Sequence, residues 1–113
     1  MLVVLTTIST FEEADALAVK LVESRLAACV QILPQMTSVY VWEGKTQHES
    51  ECLLLIKTLP ERWDELKGFI SVNHSYDVPE IVALDAKAAE PYLAWLNAEL
   101  TSEVLLQDPS SDN

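Results

Sequence analysis

The residues with the most chemical potential lie in one short run, Asn73 to Glu80, which reads NHSYDVPE. This run combines an imidazole, a phenol and two carboxylates, which are groups that ligate metals or exchange protons. Proline disfavours helical backbone at the residue before it, so Pro79 keeps this part of the run extended. We therefore expect His74, Tyr76 and Glu80 to lie on a shaped turn leading into a strand. Such a turn either holds a ligand or only fixes a corner of the fold.

The composition narrows the class of protein. The chain has 113 residues, of which 50% are hydrophobic, and this suits one globular domain. No apolar run approaches the roughly 20 residues of a membrane-spanning helix, and the first residues lack the features of a secretory signal. With 18 acidic and 7 basic residues, the net charge of −11 repels nucleic-acid phosphates and anionic membrane surfaces. We expect a cytoplasmic protein whose partners are neither nucleic acid nor membrane.

Cysteine and histidine supply few metal donors. Cys29 and Cys52 lack the close spacing of a zinc knuckle or a redox pair, and we expect both to be reduced thiols. His74 and Glu80 form the best-placed candidate pair, whereas His48 follows a hairpin turn, where a solvated side chain is expected. Two ligands leave a first-row metal ion incompletely coordinated, unless a ring of identical subunits brings equivalent residues together. The alternative for His74 is a turn histidine that is hydrogen-bonded to a carboxylate or carbonyl.

No residue pattern supports an enzyme. Ser71, His74 and Asp77 are the residue types of a hydrolytic triad, yet nothing in the sequence places them in the geometry that acyl transfer requires. Cys29 lies in an apolar segment, where burial keeps a thiol protonated and unreactive. The two glycines of the chain lack the neighbours of a phosphate-binding loop. We expect no catalysis and no organic cofactor, and Lys57 either contacts an anion in a cleft or is a surface residue.

Hydrophobic periodicity predicts the element order β-α-β-β-α-β followed by a third helix. Capping-box patterns at Ser9 and Thr10 announce the first helix, Gly44 marks a hairpin turn, and Pro60 opens the second helix. The expected elements are a central strand 2–5, a helix ending near 25, hairpin strands 28–43 and 49–58, a helix ending before 74, a strand 80–84 and a helix opened by residue 91. This is the order of the ferredoxin-like α+β sandwich, with both long helices on one face of the sheet. We expect residues 1–106 to form one domain and the polar tail 107–113 to be mobile.

The predicted hairpin is too long for a compact domain of this size. Its first strand would stretch roughly 50 Å at about 3.3 Å per residue, against roughly 34 Å for the diameter of a compact 113-residue sphere. A bend at Pro34 shortens this span, but apolar residues such as Val41 and Trp42 still need a cover. In this hairpin we expect Cys52 to face the region near Ser38, far from Cys29. Because the strand edges also carry unpaired backbone groups, we expect a homo-oligomer in which neighbouring subunits of a small closed ring cover the hairpin.

The chain resembles the CutA family of divalent-cation tolerance proteins from about Val3 to Leu100. The resemblance rests on separated blocks with specific residues. These blocks are Thr6-Thr7, Glu13-Ala14, Leu26-Ala27-Ala28-Cys29-Val30, Ser38-Val39-Tyr40-Val41-Trp42-Glu43-Gly44-Lys45, Ile56-Lys57-Thr58, His74-Ser75-Tyr76-Asp77-Val78-Pro79-Glu80-Ile81 and Tyr92-Leu93-Ala94-Trp95.

The resemblance implies a ferredoxin-like protomer in a tight homotrimer, together with tolerance to copper or another divalent cation. Some members of the family that are proposed to bind copper carry a first-strand cysteine where this chain has Thr6, a weak oxygen donor for copper. Those members also carry a second histidine where this chain has Asn73, and Ser75 replaces the usual proline, which we expect to loosen the turn. The remaining candidate metal ligands are His74, Cys29 and Glu80.

Two binding functions follow from the resemblance. The first is a CutA-type homotrimer that acts in the response to divalent metal ions by binding and not by catalysis. The second is a sensor or scaffold similar to the PII signalling proteins, in which clefts between subunits hold a small anionic metabolite. The candidate ligand-binding residues for the second function are Lys57, Tyr76, Glu80 and Trp42.

Overall fold

The computed structural model describes residues 1–106, with side chains described up to Thr101. Its elements are β1 (Leu2–Ile8), α1 (Phe11–Glu23), β2 (Cys29–Trp42), β3 (Lys45–Thr58), a 3-10 turn (Pro60–Arg62), α2 (Trp63–Asn73), β4 (Val82–Asp85) and α3 (Glu90–Leu106). The α+β class and the order β-α-β-β-α-β plus a helix are confirmed. The predicted mobile tail, residues 107–113, lies outside the described residues. Within the described part of the chain, no helix is both long enough and apolar enough to cross a membrane.

The four strands form one sheet in the order β2-β3-β1-β4, and each neighbouring pair is antiparallel. The central position predicted for the first strand is confirmed, since β1 pairs with both β3 and β4. The strands β2 and β4 are the edges of the sheet.

One face of the sheet carries the hydrophobic core. Side chains alternate between the two faces along a strand, so every second residue of β1 and β3 points into the core. The core residues of these strands are Leu2, Val4, Ile8, Cys52, Leu54 and Ile56, which pack with Leu17 and Leu21 of α1 and with Leu66 and Ile70 of α2. The intervening residues Val3, Leu5, Leu53 and Leu55 lie on the opposite face and are only half-buried. Both helices therefore cover the same face, as predicted.

Local residue choices explain how α1 begins. Thr10 has extended backbone at the N-cap, and its hydroxyl accepts a hydrogen bond of 3.1 Å from the backbone N–H of Glu13. This contact satisfies one of the N–H groups that the first turn of a helix leaves without an intrahelical partner. The capping pattern predicted at Thr10 is confirmed.

The β2–β3 hairpin has a tight turn and an irregularity. Glu43 (φ 51°) and Gly44 (φ 78°) both adopt left-handed backbone, which is the requirement of a two-residue type I′ turn. Near Pro34 the register shifts, since Leu33 pairs with Leu53 whereas Met36 pairs with Glu51. Two residues of β2 therefore face one residue of β3, which defines a β-bulge.

The tight turn corrects one expectation of the sequence analysis. The sequence predicts a second hairpin strand that begins at residue 49, with Cys52 facing the region near Ser38. In the structure β3 begins at Lys45, directly after the two-residue turn, so Ser38 pairs with Glu49 and Cys52 lies opposite the bulge. Cys29 pairs with Lys57, so the two cysteines are not cross-strand neighbours, as expected. Among the described residues both thiols are free.

Beyond the bulge, residues 36–51 form an arm that extends past the sheet. The molecule measures 55 × 32 × 23 Å, and its radius of gyration is 15.8 Å. A compact chain of this length has a radius of gyration of about 13 Å. The exposed fraction is 60% for Val39, 67% for Val41 and 64% for Trp42. The prediction that the hairpin exceeds a compact body is confirmed, and its apolar tip is uncovered in the single chain.

Candidate functional site

The turn after α2 is held by the imidazole of His74. Its Nε2 lies 2.7 Å from the backbone oxygen of Thr7, and the backbone N–H of Tyr76 donates to Nδ1 over 3.1 Å. A carbonyl oxygen can only accept a hydrogen bond, so Nε2 carries the proton and Nδ1 is the acceptor. Both ring nitrogens therefore have hydrogen-bond partners. A metal ion can bind either nitrogen only if one of these two hydrogen bonds breaks.

A phenol–carboxylate pair links the same turn to the arm. The hydroxyl of Tyr76 donates to the carboxylate of Glu51 over 2.6 Å, although the two residues are 25 positions apart in sequence. Glu51 is only 9% exposed. Burial, and next the hydrogen bond and charge of Glu51, raise the pKa of Tyr76 well above its ordinary value of 10.0. The phenol is therefore a stable donor, and the turn is fixed against β3 at the root of the arm.

Ser75 connects the turn to the start of α1. Its hydroxyl donates to Oε1 of Glu13 over 2.9 Å, and the hydroxyl of Ser9 contacts the same oxygen at 3.4 Å. The looser turn expected from Ser75 in place of the usual proline stays a prediction. The hydrogen bond of Ser75 to Glu13 connects the turn to α1.

The arm and the turn enclose a cleft of about 780 Å³, which we call the arm cleft. Three of the four predicted ligand residues, Trp42, Tyr76 and Glu80, line it. The lining also includes Thr7, Ser38, Val39, Tyr40, Gln47, Glu49, Glu51 and Val78. Partial desolvation and then the charges of Glu49 and Glu51 raise the pKa of Tyr40. The arm cleft is thus acidic and aromatic, and neither lysine nor arginine is among its lining residues.

Lys57, the fourth predicted ligand residue, lies elsewhere. It pairs with Cys29 of β2 and with Val3 of β1, and its ammonium nitrogen is 5.6 Å from the centre of the Tyr92 ring. Val3 and Thr7 are four residues apart on β1, so Lys57 is about 13 Å from the His74 turn along the strand direction. The structure therefore does not bring Lys57 into the arm cleft.

The three predicted metal ligands are likewise separated in the single chain. Glu80 lines the arm cleft, whereas His74 lines a second cavity, of about 460 Å³, together with Glu13, Lys20 and Asn73. Cys29 lies in register with Lys57, at the other end of the sheet from the turn. Within the described residues, no group of three or more His, Cys, Asp and Glu side chains is arranged to hold a metal ion.

The lining residues that sequence reasoning missed include Tyr40, Glu49 and Glu51, which make the cleft acidic and aromatic. The signal was the alternation along the arm, since Tyr40 pairs with Gln47 and Ser38 pairs with Glu49 on one face of the hairpin. This pairing is set by the two-residue turn, whereas the hairpin predicted from sequence has a longer connection. The acidic face of the arm could therefore not be assigned from the expected register.

Comparisons with known proteins agree with the fold and the motifs. The sequence profile of the family described as CutA1 divalent ion tolerance protein matches residues 2–99. The chain is 45% identical over 96 residues to Protein CutA, chloroplastic, of Arabidopsis thaliana, and this match covers 84% of the chain and 53% of that relative. It is 47% identical over 95 residues to the divalent-cation tolerance protein CutA of Thermus thermophilus, covering 83% of the chain and 92% of that relative. The chain therefore spans about half the length of the plant protein.

A solved structure supports the same relationship. The divalent cation tolerance protein of Thermus thermophilus superposes with a TM-score of 0.80 at 47% identity, covering 85% of this chain and 95% of that one. The profile match spans more than half of the chain, and its limits enclose the His74 turn, the arm and the arm cleft. The chain therefore belongs to the CutA1 divalent ion tolerance protein family.

Proposed function

We propose that this chain forms a homotrimer that supports tolerance to divalent cations, copper among them, by binding and not by catalysis. The observation that carries the proposal is the arm, whose apolar tip projects from the body with an acidic cleft at its root. The family membership supports the link to divalent cations. Residues 1–106 form the proposed domain, and we place the protein in the cytoplasm.

The argument for assembly rests on exposed apolar surface. Val41 and Trp42 are each more than 60% exposed at the arm tip, and the half-buried face of the sheet adds Leu5, Leu53 and Leu55. Large exposed apolar surface marks interaction sites in proteins. The edge strands β2 and β4 also present unpaired backbone groups that a second chain can pair with. A closed ring of three copies covers the apolar surface and the strand edges, because the arm of each subunit packs against a neighbouring subunit.

Assembly also determines how a metal ion can bind. His74, Cys29 and Glu80 do not meet within the chain, so a complete site needs equivalent donors from neighbouring subunits or a rearranged turn. The carboxylates of Glu49, Glu51 and Glu80 are hard oxygen donors, and His74 is the borderline donor that suits copper or zinc. In this proposal His74 gives up its hydrogen bond to Tyr76 N–H or to Thr7, and the ion replaces it.

The test combines assembly with metal titration. Sedimentation equilibrium of the tag-free protein is expected to give three times the mass of the 12.6 kDa chain. Calorimetric titration with Cu²⁺ and Zn²⁺ is expected to give a fixed stoichiometry per subunit. His74→Ala is expected to weaken copper binding at least tenfold, whereas His48→Ala, an exposed histidine on the arm, serves as the matched control. Equal effects of the two substitutions, or binding without fixed stoichiometry, would show that the acidic surface alone attracts the ions.

A second candidate function is a small-molecule sensor that uses the arm cleft. The observation that favours it is the convergence of Trp42, Tyr76 and Glu80 on one cleft of about 780 Å³. This volume lies within the range of small-molecule sites, which spans roughly 300–1,000 Å³. Ligand-dependent stabilisation of the trimer that is lost in Glu80→Gln is the expected result, and stabilisation that survives this substitution would place the ligand elsewhere.

A further inference from the structure

The imidazole of His74 is fixed in a tautomer that a metal-ligating histidine uses. Its Nε2 donates a proton to the backbone oxygen of Thr7 over 2.7 Å, and Nδ1 is left as the acceptor. Histidine ligands commonly donate their second ring N–H to a backbone carbonyl or a carboxylate, which orients the ring and fixes the tautomer. By this criterion Nδ1 is the nitrogen suited to a metal ion, and the Thr7 contact supports the ring.

The lone pair of Nδ1 is already used within the chain, because the backbone N–H of Tyr76 donates to it over 3.1 Å. The bond from Nε2 to Thr7 is the shorter of the two contacts of the ring. Thr7 is only 7% exposed, and a buried acceptor that loses its donor carries a desolvation penalty. Release of the Tyr76 N–H from Nδ1 is therefore the easier of the two exchanges.

The side chain of Tyr76 anchors this N–H from the other end of the residue. Its hydroxyl donates to Glu51 over 2.6 Å, and its ring centre lies 4.7 Å from that of the His74 imidazole. Glu51 is 9% exposed and pairs with Met36, where the arm begins beyond the bulge. Because one residue carries both bonds, the phenol holds the N–H against Nδ1. Each contact lies within one chain, so none depends on whether a neighbouring subunit covers the arm.

We propose that the hydrogen bond between Tyr76 and Glu51, which we call the latch, opposes metal binding at Nδ1 of His74. This proposal rests on the proposed metal-binding function and adds a regulation to it. Tyr76 and Glu51 are positioning residues, since they act on the ion only through His74. A change that weakens the phenol–carboxylate bond frees Nδ1. Coupling between two equilibria is reciprocal, so occupation of Nδ1 weakens the latch at the root of the arm.

The latch predicts that two destabilising substitutions tighten metal binding. Tyr76→Phe removes the anchor and is expected to tighten zinc binding at least threefold. Glu51→Gln is expected to tighten zinc binding as well, although it deletes a carboxylate that attracts a cation. Glu49→Gln is the matched control, because it removes the same charge two residues away on β3, from a side chain that has no hydrogen bond to the turn in the described structure. A purely structural loss would weaken binding in the first two variants.

The experiment titrates Zn²⁺ into the full-length protein and its variants by calorimetry, after sedimentation has compared their oligomeric states. Zinc has a filled d shell, so NMR spectra of the loaded protein report the ring nitrogens and the backbone amides directly. We expect zinc to shift the resonance of Nδ1 and to speed up hydrogen exchange of the Tyr76 N–H. Exchange of the Glu13 N–H, which donates to Thr10, is the internal control and is expected to stay unchanged.

The possible outcomes distinguish the latch from the function on which it rests. If zinc binds at a fixed ratio but neither Tyr76→Phe nor Glu51→Gln tightens it, the latch is wrong and the metal-binding function stands. Zinc held by Nε2, or an equal gain in Glu49→Gln, would also overturn the latch. If zinc binds only to Tyr76→Phe and this binding is lost when His74→Ala is added, the latch stands and the metal-binding function of the unsubstituted chain falls. If zinc binds to neither protein, both proposals fail.

Discussion

Removal of one hydroxyl group, in Tyr76→Phe, tests the contact that holds the His74 turn against the arm. The substitution deletes the 2.6 Å hydrogen bond to Glu51 and leaves a carboxylate that is only 9% exposed without this donor. Hydrogen bonds to charged groups contribute about 1.5–3 kcal/mol to stability. Because Tyr76 itself is only half-buried, we take the lower end and expect a loss of about 1.5 kcal/mol in the free energy of unfolding.

The assay is urea unfolding followed by tryptophan fluorescence, at one fixed protomer concentration because assembly makes apparent stability depend on concentration. Tyr92→Phe is the matched control, since the described structure gives the Tyr92 ring contacts with Lys57 and Trp95 but no hydroxyl hydrogen bond. We expect this control to stay within about 0.5 kcal/mol of the unsubstituted protein. A double-mutant cycle with Glu51→Gln is expected to give a coupling energy of about 1 kcal/mol.

Alkaline pH provides an independent measure of the same contact. The pKa of Tyr76 in the folded protein lies above its ordinary value of 10.0, so the unfolded chain loses this proton first. The stabilisation is therefore complete below about pH 10 and falls as the pH rises toward the folded-state pKa. Tyr76→Phe removes this slope, although Tyr40, whose pKa is also raised, retains part of it. A loss below about 0.5 kcal/mol at neutral pH, or parallel alkaline slopes in both proteins, would refute the assigned role of the hydroxyl.

Three further substitutions test other features of the fold. Thr6→Val replaces a buried hydroxyl that has no hydrogen-bond partner in the described structure. Thermal unfolding is expected to show a gain of about 1 kcal/mol in the free energy of unfolding. A loss of stability would show that the hydroxyl has a partner. Glu43→Asn places a residue that tolerates left-handed backbone before Gly44, where φ is 51°. Urea unfolding is expected to show a gain of about 0.5 kcal/mol in the free energy of unfolding. An unchanged midpoint would contradict backbone strain at this position. Thr10→Ala removes the cap of α1 and is expected to lower the free energy of unfolding by about 1 kcal/mol, measured by urea unfolding. Thr10→Ser keeps the hydroxyl and is expected to retain most of this stability. Equal losses in the two variants would exclude the hydroxyl as the cause.

Local sequence signals predicted much of the fold. The cap at Thr10, the turn at Gly44 and the opening of the second helix near Pro60 all act within a few residues, and the structure confirms each of them. The length of the hairpin also predicted an elongated molecule, because strand rise and compact size are both fixed by chain geometry.

The contents of the arm cleft were harder to predict, because they depend on contacts distant in sequence. The bond between Tyr76 and Glu51 joins a turn to a strand, and neither residue carries a local signal for the other. The two-residue turn sets Ser38 against Glu49, and a longer connection would have changed which carboxylates face the cleft. The separation of Lys57 from the arm cleft follows only from the sheet register, which pairs Lys57 with Val3 and Leu53 with Thr7. Residue type predicted the chemistry better than it predicted which side chains meet.

The bulge has a consequence for how arms of different length correspond between relatives. Leu33 has an odd residue number and Met36 an even one, yet their partners Leu53 and Glu51 lie on the same face of β3. This is possible because the bulge accommodates one extra residue of β2 between them. A relative that lacks one residue at positions 34–35 would therefore display the same side chains on the same face. A one-residue deletion at 37–42 would instead turn the stretch between the deletion and the bulge onto the reverse side. The position of a single alignment gap thus decides whether two relatives share a cleft lining.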